Sequence, residues 1–260
     1  RNDAERARAL VVRAFYDEAR DDLESAVRNA GEALELATTL QHGIPRAEAL
    51  RILFIAHMRQ GNLREAEVAL RDFVDMCRAS GEPEAEVAAL WHGAELLAAS
   101  DQHEKAIELY RKSDAIVERM GQLGYVRVAM QGLAAHSALA LGRTLEAEAI
   151  LSSSAAAVDT PPAFRLRVEL CQARVDMARG RLRAADERLV ALLASVPDWL
   201  WEAKARCWRG VLSCWLGAVT LGKNELLIVI DDERSDATIR VDAMLALARS
   251  SEGALSEEHR

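Results

Sequence analysis

Tight turns recur along this chain at nearly constant spacing, and this periodicity limits the possible folds more than any other feature. Successive turns are separated by 40, 40, 41, 38 and 37 residues, and their central residues are Asp21, Gly61, Asp101, Gly142, Gly180 and Gly217. Apolar residues beside each turn follow helical spacing, as Leu50, Leu53 and Phe54 do before Gly61. Because a pair of helices cannot bury its apolar faces alone, a period of this length predicts a stacked array of helical hairpins.

Small residues occupy two fixed positions in every unit. The position seven residues before the turn holds Ala14, Phe54, Ala94, Ala135, Ala173 and Gly210, and the position five residues after it holds Ala26, Ala66, Ala106, Ala147, Ala185 and Gly222. Eleven of these twelve are alanine or glycine, so we expect the two helices of each hairpin to cross closely there. Asn62 and Glu65 also predict a capping box at the start of one second helix.

This arrangement resembles the tetratricopeptide repeat (TPR). The family's glycine-like turn residue and its small residues on both helices match the positions given above, over about residues 2–232. The chain departs from the family because its early tryptophan, first-helix glycine and closing proline are mostly absent. Its period also exceeds the usual length of about 34 residues, and is similar to the longer repeats of bacterial signalling and transcription-activator proteins. The resemblance implies an all-α, right-handed superhelical solenoid of about six hairpins and a capping helix.

The boundaries of the hairpins follow from the turns and from the prolines, which end helices. All five prolines lie between one hairpin and the next. The pattern predicts one TPR-like repeat domain at residues 1–250 and a loose polar tail at residues 251–260. We expect its hairpins at residues 2–40, 46–80, 84–120, 124–158, 161–195 and 198–232, with the capping helix at residues 235–250.

Composition argues against several classes of protein. The net charge is −8, with 41 acidic and 33 basic residues, which does not favour direct binding of nucleic acid. No apolar run has the length of a membrane span, and the four cysteines form no CxxC pair or zinc-ligand spacing. We therefore expect a cytoplasmic chain without metal or cofactor. The excess of arginine over lysine and the abundant alanine are typical of a GC-rich bacterial genome.

One stretch imitates a phosphate-binding loop. Residues 217–224 include Gly217, Gly222 and Lys223, and the apolar run 226–230 precedes Asp231. The loop requires serine or threonine where Asn224 stands, and a helix that a strand at 226–230 would displace. We interpret this stretch as a sixth hairpin with an apolar second helix. The sequence also contains no HExxH motif, nucleophile elbow or paired catalytic arrangement, so we expect no enzymatic activity.

Four of the five tryptophans lie on one first helix: Trp199, Trp201, Trp208 and Trp215. The last three recur every seven residues and form a stripe, while Cys207 and neighbouring small residues form a second apolar face. A helix that is apolar on two sides is usually buried between neighbours. The alternative is a docking surface, because exposed tryptophans anchor interfaces.

The resemblance also predicts where a ligand binds. In the family, the first helices of successive repeats line a concave groove, and the turn alignment maps its ligand-facing positions to Arg8, Phe15, Glu18, Glu48, Arg51, Ile55, Met58, Arg59, Trp91, Glu95, His136, Arg167, Leu170, Arg174, Met177, Lys204, Val211 and Trp215. Six of these are basic and three acidic, so the predicted groove carries 6 − 3 = +3. Arginine forks between apolar residues suit an acidic peptide or a terminal carboxylate. The alternative is that arginine is merely common and the alignment is wrong by one residue.

Two functional hypotheses follow. The first is a non-catalytic repeat scaffold or sensor that binds a protein or peptide within a larger bacterial regulatory protein. The second is a domain that binds a small anionic effector and controls an attached DNA-binding or ATPase domain. An open basic groove favours the first hypothesis, and a closed apolar pocket beside the tryptophans favours the second. The sequence indicates no oligomeric state.

Overall fold

The computed structural model describes residues 2–121, 124–152, 162–196, 199–235 and 237–257, and within these ranges the chain forms helices and no strand. This confirms the predicted all-α class. The described helices are α1 (Asn2–Ala19), α2 (Leu23–Thr39), α3 (Gly43–Gln60), α4 (Leu63–Ser80), α5 (Pro83–Ala99), α6 (His103–Met120), α7 (Gly124–Ala140), α8 (Thr144–Ser152), α9 (Pro162–Ala178), α10 (Leu182–Ser195), α11 (Trp199–Trp215), α12 (Val219–Asp231) and α13 (Ala237–Glu257).

All six predicted turns have the same backbone geometry. Their central residues have positive φ: Asp21 (65°), Gly61 (76°), Asp101 (60°), Gly142 (71°), Gly180 (75°) and Gly217 (84°). At every turn the amide of the following residue donates to the carbonyl five residues earlier, as Asn62 N does to His57 O at 2.9 Å and Arg181 N does to Asp176 O at 2.8 Å. This bond closes the C-terminus of each first helix in a Schellman motif. The predicted repeat register is therefore correct.

The capping box predicted at Asn62 is wrong. Its side chain caps no backbone amide of α4, and its amide nitrogen donates instead to Gln60 Oε1 at 3.1 Å. Asp22 caps α2 in this way, because its carboxylate accepts from the backbone amide of Ser25. Hydrogen bonding with the side chain of Ser25, and then with its backbone, lowers the pKa of Asp22.

The small residues predicted at the helix crossings are all buried. A close crossing joins α11 and α12 at Gly210 and Gly222. A Cβ atom added to Gly222 would lie 2.6 Å from the carbonyl oxygen of Gly210, and one added to Gly210 would lie 3.0 Å from the carbonyl oxygen of Gly222. The two backbones are in direct contact, which confirms the reason given for small residues here.

The chain divides into two compact units, Arg1–Ile116 and Val117–Arg260, with the division inside α6. One core of the first unit is built from Leu50, Phe54 and Phe73 of α3 and α4. One core of the second unit joins α9, α10 and α11 through Leu170, Leu189 and Trp201, among others. A single repeat domain over residues 1–250 stays a prediction.

The C-terminal part of the second unit is helical where the phosphate-loop imitation was noted. Residues 219–231 form α12, so the apolar run 226–230 is not a strand. Helix α13 packs Ile239 and Ala243 against α11 and α12, and it continues to Glu257, into the segment expected to be a loose tail. Its outer face exposes Val241, Met244 and Leu245. The predictions for residues 153–161 and for Pro197 lie outside the described residues.

Candidate functional site

The predicted ligand-facing residues lie on α1, α3 and α5 in the first unit and on α7, α9 and α11 in the second. These are the first helices of their hairpins.

In the first unit, the predicted cations of α3 form ion pairs with carboxylates of the same protein. Arg51 donates through Nε and Nη2 to Glu48 Oε2 at 3.0 and 2.8 Å. Arg59 donates to Glu18 Oε1 at 2.8 Å and to Asp21 Oδ1 at 2.7 Å, which ties α3 to the end of α1. Four predicted groove residues are thus paired with one another: Arg51 with Glu48 on α3, and Arg59 with Glu18 between two hairpins.

The remaining first-unit positions provide apolar surface. Ile55 and Met58 are half-buried and pack on the core of α3 and α4. Trp91 lies beside His92, whose Nδ1 is 3.0 Å from Glu95 Oε2. A hollow of about 360 Å³ between α1 and α3 is lined partly by Phe15, Tyr16 and Arg51. Arg8 is exposed.

In the second unit, three predicted cations lie against tryptophan rings of α11. The guanidinium carbon of Arg167 is 5.7 Å from the centroid of the Trp201 ring, and Lys204 Nζ is 5.1 Å from the same ring. The guanidinium carbon of Arg174 is 4.4 Å from the Trp208 ring. All three distances are within the range of cation–π attraction. The structure therefore brings Arg167, Arg174 and Lys204 together on one basic and aromatic surface, which we call the α9–α11 surface.

His136 of α7 contributes to the same surface. Arg174 Nη1 lies 2.8 Å from His136 Nδ1. A guanidinium can only donate, so this hydrogen bond requires a neutral imidazole that accepts at Nδ1. Burial lowers the pKa of Arg174, while Asp242 of α13 acts in the opposite direction.

The three cations lie close enough to Cys171 for all of their charges to act on its thiol. Burial raises the pKa of its thiol, and the charges of Arg174, Arg167 and Lys204 all act against this effect. The thiol is buried and donates to the carbonyl oxygen of Gly132 at 3.5 Å. Burial outweighs the three charges at this thiol, and all three act on it in the same direction.

The charge environment of Arg167 and Arg174 differs from that of other arginines in this unit. Arg181 and Arg188 both bind the buried carboxylate of Asp176, and Arg206 binds Glu202 and Glu225. Within the described ranges, neither Arg167 nor Arg174 has a carboxylate within ion-pair distance. Tryptophan faces hold both guanidinium groups and the His136 ring accepts from Arg174, while the charge of Asp242 also acts on Arg174.

Three further second-unit positions differ in exposure. Leu170 and Met177 are buried in the core and cannot face a ligand, so the mapping is wrong for these two residues. Val211 is half-buried against the same core. Trp215 has 59% of its surface exposed. Trp201 is therefore buried, as the first hypothesis for the tryptophan helix predicts, while Trp215 faces solvent, and the docking hypothesis stays a prediction.

Other features of the described residues do not form a second site. A hollow of about 660 Å³ lies between α9 and α10, where Arg188 is already paired with Glu169 and Asp176. The described part of the chain contains no group of three or more histidine, cysteine or acidic residues placed to hold a metal ion. None of its helices combines the length and apolarity needed to cross a membrane.

Comparisons of sequence and structure give different results. No family model and no curated protein matches the sequence. The structure is similar to that of NprR in complex with its peptide NprX, with a TM-score of 0.67 and 13% identity over 91% of this chain and 69% of the other. NprR is the quorum sensor from B. thuringiensis. The fold is a TPR-like helical repeat.

Two further structures have the same fold. A Rap protein complexed with competence and sporulation factor gives a TM-score of 0.66 and 13% identity over 95% of this chain and 66% of the other. A tetratricopeptide repeat protein from Parabacteroides merdae gives a TM-score of 0.53 and 15% identity over 95% of this chain and 93% of the other. This TPR-like chain spans about two thirds of the length of the NprR and Rap chains.

Proposed function

We propose that this chain is a non-catalytic peptide-binding module of a larger bacterial regulatory protein, and that the α9–α11 surface binds an acidic peptide. The observation that carries the proposal is the position of Arg167 and Arg174 against tryptophan rings, where neither forms an ion pair within the described structure. A guanidinium held on an aromatic face keeps its N–H groups in a fixed plane, from which it can bind a carboxylate through two hydrogen bonds.

The comparisons support the peptide as the class of ligand. NprR and the Rap protein have the same fold, and both were solved with a bound peptide or factor. Identity of 13% does not carry a binding site from one chain to another, so the choice of surface and the acidic character of the ligand rest on the residues of this chain.

The test is selection from a random peptide library with the 260-residue chain as bait. We expect the enriched peptides to contain more aspartate and glutamate than the starting library. Arg167→Gln combined with Lys204→Gln should weaken binding of an enriched peptide at least tenfold, because each charged hydrogen bond contributes roughly 1.5–3 kcal/mol.

Arg183→Gln is the matched control. Arg183 lies on α10 with 92% of its side chain exposed and pairs only with Glu187, so its loss should leave peptide affinity unchanged. Selection of peptides without acidic enrichment, or equal weakening by the control, would contradict the proposal. If the chain binds citrate but no peptide, the small-anion hypothesis replaces it.

A further inference from the structure

Arginines of α9 and tryptophans of α11 follow the same heptad spacing. Arg167, Arg174 and Arg181 are seven residues apart, as are Trp201, Trp208 and Trp215, and the two series are offset by 34 residues. The first two arginines each lie on the tryptophan 34 residues later. Because the two helices run in the same direction and the spacing is equal, successive arginines can each cover one indole ring. We call this series of arginine–tryptophan pairs the ladder.

The third pair of this ladder is not formed. Arg181 lies beyond the end of α9, after the turn at Gly180, and its guanidinium donates to Asp176 Oδ1 at 2.7 Å and Glu148 Oε1 at 2.8 Å. These hydrogen bonds raise the pKa of Arg181 and hold its charge away from α11. Trp215 makes no cation–π contact among the described residues and is 59% exposed.

An apolar side chain adjoins Trp215 along α11. Val211 precedes Trp215 by one helical turn on the same face of α11, and it packs on the core of the second unit. A large exposed indole beside an aliphatic side chain buries much area at low entropic cost when an apolar group covers it.

We infer that Trp215 is the second contact point of the peptide ligand, and that it binds a large apolar side chain of the peptide whose acidic groups lie at the α9–α11 surface. This inference rests on the proposed function and adds the identity of a second ligand group and its distance from the first.

The helix sets the spacing of the two ligand groups. Trp215 lies seven residues beyond Trp208 and eleven beyond Lys204 on α11. At about 1.5 Å per residue, these separations are roughly 10 and 16 Å along the helix axis. An extended peptide advances about 3.3 Å per residue. The apolar side chain is therefore expected about three to five residues from the acidic group.

The experiment uses four labelled peptides and fluorescence anisotropy. The main probe is Gly-Phe-Ala-Ala-Ala-Asp with a free C-terminus, in which phenylalanine precedes aspartate by four residues. The second replaces phenylalanine by alanine, and the third places phenylalanine next to aspartate. The fourth keeps phenylalanine but ends in asparagine amide. We expect the main probe to bind roughly tenfold or more tightly than each of the others.

Trp215→Ala should remove the advantage of the main probe over its alanine version. The exposed position of Trp215 means that this change leaves the thermal unfolding of the chain nearly unaltered. Leu221→Ala is the matched control, because Leu221 is a similarly exposed apolar residue on α12, outside the α9–α11 surface.

The outcomes separate the two proposals. If the acidic probes bind equally well with and without phenylalanine, or if Trp215→Ala has no more effect than Leu221→Ala, the inference about Trp215 is wrong and the anionic site stands. If no acidic probe and no library peptide binds, the proposed function fails and the inference fails with it.

Discussion

Replacing Gly222 by alanine tests the close crossing of α11 and α12 in the second unit. The added Cβ atom would lie 2.4 Å from Cys214 Sγ, 2.6 Å from the carbonyl oxygen of Gly210 and 3.0 Å from the backbone nitrogen of Cys214. Two of these three atoms belong to the backbone of α11 and cannot rotate away. The helices must separate, and the buried surface between them is lost.

The magnitude is a balance of two opposing effects. Overpacking of a tight core costs about 1–3 kcal/mol, and contact with backbone atoms places this site at the upper end. Alanine inside a helix is more favourable than glycine by about 1 kcal/mol. The net expectation is a loss of about 2 kcal/mol in the free energy of unfolding. Gly31 of α2 is the control, since a Cβ atom there meets nothing within 4 Å and Gly31→Ala should stabilise by about 1 kcal/mol.

The assay is urea unfolding followed by two signals. Tryptophan fluorescence reports mainly on α11, which holds four of the five tryptophans, and far-ultraviolet circular dichroism reports on all helices. Cys214→Ala in the Gly222→Ala background should restore only part of the lost stability, because it removes the sulfur but not the backbone contacts. Gly222→Ala that stabilises as Gly31→Ala does, or full rescue by Cys214→Ala, would refute the reasoning.

Three other perturbations test separate parts of the structure. Burial raises the pKa of Cys207 to about 12, so the folded state holds this proton at pH values where the unfolded thiol has ionised. The free energy of unfolding should therefore fall as pH rises from about 9 towards 12. Cys207→Ala should reduce that fall in denaturant titrations. Asp176, which is 4% exposed, pairs with both Arg181 and Arg188. Asp176→Ala should lower the free energy of unfolding by about 1–2 kcal/mol, since both arginines keep access to water. A change near zero would show that the pairs are dispensable. Ala106→Leu places three extra carbons at a fully buried crossing of the first unit and should cost about 1–3 kcal/mol by thermal unfolding, whereas no change would contradict the assigned crossing.

The turns and helix crossings could be predicted from sequence because they depend on local geometry. A left-handed turn residue and small residues at fixed distances from it can be recognised in the amino-acid sequence. The structure has all six turns and twelve buried positions where the sequence predicts them. The capping box at Asn62 was predicted from residue types alone. The side chain of Asn62 donates to Gln60 instead, and a motif based on residue types does not include this competing partner.

The binding surface was less accessible to sequence reasoning because it depends on neighbours in space. Charge counting gave a groove of +3, but it could not show that Arg59 pairs with Glu18 and Asp21 while Arg174 lies on Trp208. Leu170 and Met177 were placed on the ligand face, yet both are buried. A signal for the ladder was present in the shared heptad spacing of arginine and tryptophan, and it becomes visible only when α9 and α11 are known to be adjacent.

The uniform turns also bear on how such a chain can change length. Each first helix ends with the same six-residue hydrogen-bonded loop, whereas the repeat length varies between 37 and 41 residues. The described second helices differ in length, since α4 has 18 residues and α10 has 14, so variation falls at their C-terminal ends, beside the segments that join one hairpin to the next. Gene duplication or recombination that cuts in these joining segments would transfer a hairpin with its internal packing intact. Insertions there should be tolerated, while an insertion of one residue between Ala173 and Ala185 would rotate one helix by about 100° and expose its buried face.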